Sequence, residues 1–478
     1  MFVIEGINDL KTLSDVIGGE LFSNNEPFTG ITTDSREEVN GAVYLALKGE
    51  SFDGDIFCKD AIDNGSIAVI TDNPETLGRF ILVKDTYDAL LKIASHHHKQ
   101  INPKTIAITG SNGKTSVKEM MGKILDSDKT VITKSNENNQ FGIPYTILRC
   151  KSSTENLVLE CGARHDGDFK KIAEHFEFDQ LVITNINNSH VGIFGSVKNI
   201  IRTKLELIKA VKDSGNIIEA AFKDLSKNRE LSSKTNEIKL YDVNDLDLKT
   251  TWVYHCERDH DLNEKYLISL NSKKENKQIQ FEASIEHNCI NAVISSLTLS
   301  QFGYDFDQSM KDLSGFNNPL KNRFHIHKIS DYLVIDDTYN ANPTSMQSAM
   351  KTINDWNDER GRVVILGDMY DLGDHASEEH KKVIDYALRM NKLRKLILVG
   401  DKFKQEINEF SEKEREKIVQ IQNKVDDFPF TELIRESTKK SKGVVHRYFK
   451  SEGAIVLIKG SRAMKMERFV ESIMKYLQ

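Results

Sequence analysis

The sequence predicts an α/β protein of three domains: an N-terminal mixed α/β domain, a central parallel-sheet domain of the P-loop ATPase type, and a C-terminal Rossmann-like α/β domain. Three observations support this fold class. At about 150 residues per domain, 478 residues correspond to roughly three domains. Hydrophobic residues make up 39% and charged residues 29%, the composition of a chain with real cores. Short apolar runs alternate with helical patterns along the central and C-terminal parts, which is typical of parallel sheets.

The composition excludes several classes of protein. The net charge of −7 implies no basic nucleic-acid surface, and no apolar run approaches the ~18 residues of a membrane span. The first residues lack a basic region followed by an apolar stretch, so no secretory signal is predicted. The five cysteines are scattered without CxxC spacing, which fits a reducing compartment. We expect a cytoplasmic, monomeric protein that binds no nucleic acid and has no membrane span.

The first predicted domain covers residues 1–103. Its short apolar runs, such as VYLAL (43–47) and IAVIT (67–71), lie between polar turns. Near its end stand three consecutive histidines, 96–98, which could suggest a metal site. Consecutive side chains of a helix point in different directions, so we expect a solvated helix end instead.

The second predicted domain covers residues 104–322. It opens with the strand TIAIT (105–109), a glycine-bearing turn and a helix from Lys114 to about residue 125. Two further apolar runs, NLVLE (156–160) and LVITNI (181–186), complete the texture of a parallel sheet. The polar stretch 230–285 predicts hairpins or an embellishment of the domain.

The third predicted domain covers residues 323–478. Helical stretches at 377–390 and 464–477 separate apolar runs that read as strands. This alternation predicts a second doubly wound α/β domain. The predicted strands are 332–336, 363–367, 395–400 and 454–460.

The turn after the first central strand is the strongest signal for chemistry. It lies between an apolar strand and a helix, where backbone N–H groups and a helix N-terminus bind phosphates. Lys114 would reach the β- and γ-phosphates of ATP, and the Thr115 hydroxyl would ligate Mg²⁺. Ile108 stands where the full P-loop pattern has glycine, so this is a shortened variant; the alternative is a chance GKT in a surface turn. The residues of the turn are Gly110, Ser111, Asn112, Gly113, Lys114, Thr115 and Ser116.

Two side chains of the kind that binds a metal follow central strands. Glu160 ends NLVLE, and His190 follows LVITNI. Because parallel sheets place ligands beyond the carboxyl ends of their strands, both could bind Mg²⁺. Taken alone, His190 reads as an ordinary loop histidine.

Lys204 lies in a stretch, 197–211, that reads as a helix. At about 100° per residue it falls inside the apolar arc formed by Ile200, Ile201 and Ile208. Burial would lower the pKa of its ammonium, and a neutral amine can take up CO₂ as a metal-binding carbamate. The equally open alternative is that the lysine extends past its apolar neighbours to water.

Several longer motifs resemble the Mur ligases, the ATP-dependent amide-bond ligases of peptidoglycan precursor synthesis. The resemblance covers nearly the whole chain and is greatest to the branch that joins D-alanyl-D-alanine to UDP-N-acetylmuramoyl-tripeptide. It implies these two substrates, with ATP and Mg²⁺ as cofactors and a uridine-nucleotide site in the first domain. The matching motifs, besides the turn TGSNGKTS, are TDSR (33–36), GAVYLALKGESFDGDIF (41–57), NENNQFGIPYT (136–146), TNINNSH (184–190), HNCIN (287–291), DDTYNANPTSM (336–346), GDMYDLG (367–373) and LIKGSRAM (457–464).

The resemblance also implies residue roles. Glu160 and His190 would bind Mg²⁺ together with Thr115, and Lys204 would be a carbamylated lysine. Lys114 and Arg323 would act on the phosphates. The remaining implied contacts are Asn288 and Asn291 at the adenine end, Asp337, Tyr339 and Asn340 near the ribose, Thr33, Ser35 and Arg36 in the uridine-nucleotide domain, and Asn138 and Asn139 near the peptide.

Alternatives stand beside these roles. TDSR could be an ordinary turn, DDTYNANP a strand-to-loop turn, and Asn138 and Asn139 could cap the turn before Gly142. For the whole chain, the alternatives are another Mur-type amide ligase, adding the third residue or poly-glutamate, or a non-catalytic nucleotide-binding protein on the same fold. For the leading function we expect phosphoryl transfer from ATP to a carboxylate, giving an acyl phosphate that the amine of D-alanyl-D-alanine attacks.

Overall fold

The computed structural model describes most of the chain in four sheets with surrounding helices. We number the helices and strands in chain order. The described residues are 1–49, 52–163, 165–186, 191–219, 239–242, 253–258, 265–271, 276–283, 286–316, 322–421 and 453–477.

The N-terminal part forms a five-stranded sheet of order β1-β5-β4-β3-β2, in which only β1 and β5 pair antiparallel. Its first and third helices begin at Asp9 and Asp85, whose side chains accept hydrogen bonds from the first-turn N–H groups. The strands are Glu20–Phe22 (β1), Ile31–Thr32 (β2), Val43–Leu45 (β3), Ala68–Thr71 (β4) and Phe80–Leu82 (β5). The helices are Leu10–Ile17 (α1), Cys58–Asp63 (α2) and Thr86–Ile101 (α3), with a 3₁₀ turn at Gly54–Phe57.

The prediction of a solvated helix end at the three histidines is wrong. His97 accepts a hydrogen bond from the Glu5 N–H and bonds the Cys150 carbonyl, and both His97 and His98 are buried. The His98 ring nitrogen lies 2.7 Å from the Thr105 hydroxyl. The helix end is buried because α3 packs against the central part of the chain, and a single-helix pattern does not contain that contact.

The central part is a six-stranded, all-parallel sheet of order β11-β10-β9-β6-β8-β7. In parallel sheets of this kind ligands bind beyond the carboxyl ends of the strands, here those of β6, β8 and β9. The strands are Lys104–Thr109 (β6), Thr130–Ile132 (β7), Asn156–Glu160 (β8), Phe178–Ile183 (β9), Val211–Glu219 (β10) and Lys239–Asp242 (β11). The helices are Lys114–Ile124 (α4), Gly142–Leu148 (α5), Asp168–His175 (α6), Val191–Phe194 (α7) and Val197–Leu205 (α8).

The helix predicted over 197–211 is shorter in the structure. It ends at Leu205, a 3₁₀ turn follows at Glu206–Ala210, and Val211 begins β10. An antiparallel three-stranded sheet then lies inside the stretch for which hairpins were predicted. Its strands are Val253–Arg258 (β12), Lys265–Asn271 (β13) and Asn276–Glu282 (β14), followed by the helices Glu286–Ser300 (α9) and Phe306–Leu313 (α10).

The C-terminal part forms a six-stranded sheet of order β15-β16-β20-β17-β18-β19, parallel except for β15. Its fully buried strands explain the continuous apolar runs of the sequence. The strands are His325–Ile329 (β15), Tyr332–Asp337 (β16), Gly361–Gly367 (β17), Leu393–Val399 (β18), Ile418–Ile421 (β19) and Ala454–Lys459 (β20). The helices are Pro343–Asp355 (α11), Ala376–Leu388 (α12), Asp401–Glu406 (α13), Glu412–Arg415 (α14) and Glu467–Leu477 (α15), with 3₁₀ turns at Gly373–His375, Ile407–Glu409 and Arg462–Met464.

Candidate active site

The turn between β6 and α4 has the backbone of a phosphate-binding loop. Gly110 and Gly113 have φ values of +144° and +85°, a backbone conformation that residues with a side chain rarely adopt. A Cβ at Gly110 would lie 2.0 Å from the Thr184 hydroxyl oxygen, so the chains here approach as closely as glycine allows. Helix α4 begins at Lys114, and its free N–H groups and dipole favour an anion at this place.

Two lysines converge on one carbonyl of this turn. The Lys114 ammonium donates to the Gly110 carbonyl at 2.7 Å, and the Lys204 ammonium donates to the same oxygen at 3.0 Å. Burial lowers the pKa of both side chains, and at Lys204 the nearby Lys114 lowers it further. Lys204 is only 5% exposed, so its ammonium does not extend to water. Two lysine side chains therefore meet at the turn where ATP would place its phosphates.

Thr115, Glu160 and Arg323 form a hydrogen-bonded chain beside the turn. The Thr115 hydroxyl donates to Glu160 Oε1 at 3.0 Å and lies 3.0 Å from Arg323 Nη2, which donates to it. Asn138 Nδ2 also donates to Glu160 Oε1, at 2.8 Å. Glu160 is 2% exposed, and its Oε2 has no hydrogen-bond partner among the described residues. A buried carboxylate oxygen of this kind, beside a hydroxyl, fits an oxygen-preferring cation such as Mg²⁺.

Side chains from two other parts of the chain hold the turn in place. Asn185 Oδ1 accepts from the Asn112 N–H at 2.9 Å, and the Asn185 amide and Thr184 hydroxyl both donate to the Asn112 carbonyl. Asn342, the N-cap of α11, donates to Asn112 Oδ1 at 2.8 Å. Thr184, Asn185 and Asn342 lie in the quoted motifs, but sequence reasoning gave them no role. Their contacts cross between parts of the chain, so local patterns carry no signal for them.

The residues expected near the ribose lie next to Arg323. The Arg323 guanidinium stacks 3.9 Å from the centre of the Tyr339 ring. Asp337 Oδ2 lies 2.6 Å from the buried Lys459 ammonium, which also donates to the Asn340 carbonyl. Asp337 and Asn340 are thus placed by a lysine that sequence reasoning did not single out.

The two asparagines expected at the adenine end lie in α9. Asn291 is buried, and its Oδ1 is 3.0 Å from the position of a Cβ built on Gly113, so it borders the phosphate turn. Asn288 lies almost one turn earlier in α9 and is half-buried.

The residues expected at the substrate end are less closely grouped. Arg36 is exposed and forms a two-pronged ion pair with Asp34, far along the chain from the turn. Ser35 is buried. Thr33 forms a hydrogen bond with the Tyr145 side chain. Burial raises the pKa of Tyr145, and the bond to Thr33 lowers it in part. Asn139 Oδ1 accepts from the Phe141 and Gly142 N–H groups, so it caps the turn as the alternative interpretation held.

Two further expectations are a metal ligand at His190 and the absence of a membrane span. His190 lies outside the described residues. Within the described ranges, no group of three His, Cys, Asp or Glu side chains could hold a metal ion. In the same ranges no helix is both long and apolar enough to cross a membrane.

Comparison with protein-family models identifies three successive matches. The "Mur ligase family, catalytic domain" model matches residues 27–129, the "Mur ligase middle domain" model matches 108–299, and the "Mur ligase, glutamate ligase domain" model matches 322–462. The chain belongs to the Mur ligase family. The resemblance of the motifs is thereby confirmed, and the Mur ligase models between them include the phosphate turn, Glu160 and Arg323.

Curated relatives extend the match to the full length. The UDP-N-acetylmuramoyl-tripeptide–D-alanyl-D-alanine ligase of Bacillus subtilis (strain 168) is 29% identical over 489 aligned positions, covering 98% of each chain. The ligase of the same name from Haemophilus influenzae is 29% identical and covers 96% of this chain and 97% of its own length.

Solved structures of Mur ligases share the fold. A crystal structure of MurF from Acinetobacter baumannii matches with a TM-score of 0.81 and 27% identity, covering 97% of this chain and 98% of that one. MurF from Thermotoga maritima, solved in complex with ADP, matches with a TM-score of 0.76 and 23% identity, covering 97% and 99%. The predicted three-domain α/β fold class is confirmed.

Proposed function

We propose that this chain is the ATP-dependent ligase that joins D-alanyl-D-alanine to UDP-N-acetylmuramoyl-tripeptide, giving the pentapeptide precursor, ADP and phosphate. One observation carries the proposal: the hydrogen bonds from Arg323 to Thr115 and from Thr115 to Glu160 join the C-terminal part to the phosphate turn of the central part. The names of the full-length relatives supply the substrates. In this proposal the predicted domain 1–103 binds the UDP-linked substrate, 104–322 binds ATP, and 323–478 takes part in the final ligation.

ATP would bind with its phosphates on the turn from Gly110 to Ser116. Lys114 and Arg323 supply positive charge there, and backbone N–H groups of the α4 N-terminus supply donors. The other residues proposed for the nucleotide are Asn288, Asn291, Asp337, Tyr339 and Asn340.

Mg²⁺ fits the oxygen-rich corner beside the turn. Thr115 and Glu160 would hold it, together with His190 and Lys204. The ion would neutralise the phosphate charge that develops during phosphoryl transfer. Glu160 Oε2 supports this assignment, because it is buried and accepts no hydrogen bond from the described residues, with the Lys118 ammonium 3.6 Å away.

Lys204 is proposed to carry a carbamate. The ammonium would first lose one proton, and the neutral amine would then add to CO₂, forming an N–C bond and releasing a second proton, so that a buried cation becomes an anion suited to a metal. Burial and the nearby Lys114 both lower its pKa, which favours the neutral amine that reacts. No acidic side chain of the described residues forms an ion pair with it, so nothing there would keep it charged.

The reaction would proceed in two steps. The tripeptide carboxylate attacks the γ-phosphorus of ATP, ADP leaves, and an acyl phosphate forms. The amine of D-alanyl-D-alanine then attacks the acyl carbon, and phosphate leaves through a tetrahedral intermediate. Lys114 and Arg323 neutralise charge and orient the phosphates in the first step, which needs positioning more than covalent help. Asn138, already bonded to Glu160, and Asn139 would face the peptide, while Thr33, Ser35 and Arg36 would hold the UDP end.

Cys58, Cys150, Cys161 and Cys289 are free thiols, which supports a reducing, cytoplasmic location.

A turnover panel tests the function. ATP is supplied with D-alanyl-D-alanine or with single amino acids, using UDP-linked precursors that end in meso-diaminopimelate or lysine, or that lack the third residue. Phosphate release only with D-alanyl-D-alanine and a tripeptide precursor is expected. Release with a single amino acid would assign another Mur-type ligase, and ATP binding without release for any acceptor would favour a non-catalytic protein.

A further inference from the structure

Lys118 is a completely buried lysine beside the proposed metal-binding carboxylate. It lies on α4, one turn beyond Lys114, and its side chain is 0% exposed. Its ammonium donates to the Thr133 carbonyl at 2.8 Å and lies 2.9 Å from Glu119 Oε1 and 3.6 Å from Glu160 Oε2. A buried charge is costly unless it is paired, so these contacts hold the ammonium in a defined place.

Glu160 is held both at its backbone and at its carboxylate. Its backbone N–H donates to the Thr133 hydroxyl at 2.9 Å, and Thr133 is the residue whose carbonyl binds Lys118. Its Oε1 accepts from Thr115 and Asn138, which leaves Oε2 on the Lys118 side. The carboxylate therefore has hydroxyl and amide donors at one oxygen and an ammonium at the other.

The formal charges of this cluster sum to one net negative charge, which suits a cation. Lys118 contributes one positive charge, and Glu119 and Glu160 contribute two negative charges, at side-chain exposures of 0%, 14% and 2%. Both carboxylates lie within ion-pair distance of the ammonium, which therefore joins them. One net negative charge remains next to Thr115.

We propose that Lys118 is a positioning residue for the metal site, which orients Glu160 and keeps its Oε1 directed at Thr115 and the phosphate turn. The inference rests on the proposed function, because it assumes that Glu160 holds Mg²⁺ with ATP. Partners of metal-binding carboxylates that do not touch the metal themselves commonly change affinity by about 10- to 100-fold when they are replaced.

The test measures metal binding without any ligase substrate. Mn²⁺ is titrated into the full-length protein with a non-hydrolysable ATP analogue, and free Mn²⁺ is followed by electron paramagnetic resonance. Lys118→Met and Lys118→Gln should weaken Mn²⁺ binding about 10- to 100-fold, while analogue affinity in EDTA stays within about twofold, well under the ~1.4 kcal/mol of a tenfold change. Lys118→Gln keeps a donor for the Thr133 carbonyl and so guards against simple misfolding.

The control is Lys123→Met on the same helix, where the lysine is exposed and lies over the Phe316 ring. It should bind Mn²⁺ like the unchanged protein. Steady-state assays should find a lower kcat at limiting Mg²⁺ for the Lys118 variants, with the KM for ATP nearly unchanged. Equal or tighter Mn²⁺ binding by the Lys118 variants, or loss of the fold in both, would overturn the positioning role. No Mn²⁺ binding by the unchanged protein would instead overturn the proposed metal site.

Discussion

At the scale of single residues, burial decides which charged groups can act. Lys118 and Lys204 are buried and Lys114 is partly buried, yet each meets different partners. Lys118 has carboxylates beside it, whereas Lys204 meets a carbonyl and another lysine. A buried lysine without an acidic partner is suited to modification at neutral pH.

Lys204→Ala should abolish turnover with little loss of fold, since no large apolar group is removed. Acetate or formate should partly restore activity, because a small anion can occupy the vacated space. Lys204→Arg should be inactive, because a guanidinium stays charged and cannot take up CO₂. Lys198→Ala, on the exposed side of the same helix, serves as the control. Activity assays with and without added acid decide the matter, and an active arginine variant would rule out the carbamate.

At the scale of elements, the site depends on one strand–turn–helix unit. The close approach of Gly110 to Thr184 and Asn185 connects the end of β6 to the end of β9. Asn342 adds a contact from the N-terminus of α11. The shortened P-loop is thus supported by neighbouring strands as well as by its own glycines.

Gly110→Ala should remove most ATP binding, because its Cβ would collide with the Thr184 hydroxyl and strain a backbone at φ +144°. Gly122→Ala is the matched control within α4, where the added Cβ meets only the tip of Ile132 at 3.1 Å. That variant should bind ATP normally and, if anything, gain up to about 1 kcal/mol of stability. Nucleotide binding measured by calorimetry checks both, and tight ATP binding by Gly110→Ala would contradict the phosphate-site assignment.

At the scale of the whole molecule, contacts between parts of the chain create the site. Arg323 and Asn342 reach the phosphate turn from the C-terminal part, and His97 and His98 join α3 to the central sheet. One continuous core cluster includes residues of the N-terminal helices and of the central sheet. Substrate sites on different domains can meet only if such contacts form.

His98 should make folding sensitive to acid. Burial lowers its pKa to about 4, below the 6.5 of an unfolded chain. Between these values the unfolded chain binds the proton and the folded one does not, so stability falls as pH falls from 6.5 to about 4. The full loss is about 3 kcal/mol at 1.36 kcal/mol per pKa unit.

Thermal unfolding midpoints between pH 7 and pH 4 test this expectation. The His98→Gln variant should lose less stability on acidification than the unchanged protein, because the amide can bond Thr105 without titrating. His375→Gln, at an exposed position, should follow the unchanged protein. Identical pH profiles for His98→Gln and the unchanged protein would contradict the role of His98.

Arg36→Ala should raise the KM for the UDP-linked substrate roughly tenfold, the effect of about 1.4 kcal/mol from one charge-assisted hydrogen bond. The KM for ATP should hardly change, since Arg36 lies on the N-terminal sheet domain and the phosphate turn on the central one. Arg79→Ala, an exposed arginine paired with Glu26, is the control. Equal increases in both KM values would argue against a separate uridine site.

Patterns along the chain predict the fold class, the strand–turn–helix unit and the family. These features are local: apolar runs mark buried strands, and glycines mark the turn that only they can form. Strands such as Asn156–Glu160 match the predicted run residue for residue. Helix periodicity left the burial of Lys204 and its extension to water equally open; the structure buries it, in a helix that ends at Leu205 rather than at 211.

Which distant groups meet follows from the folded molecule and not from local patterns. In the sequence, Lys118 is one polar residue of a helix. In the folded protein, Thr133 after β7 and Glu160 at the end of β8 lie beside its ammonium. The three histidines read as a solvated end until the central sheet covers His97 and His98. In each case the free energy of a polar side chain depends on partners that are far away in sequence, so its burial, charge and hydrogen bonds are properties of the folded molecule.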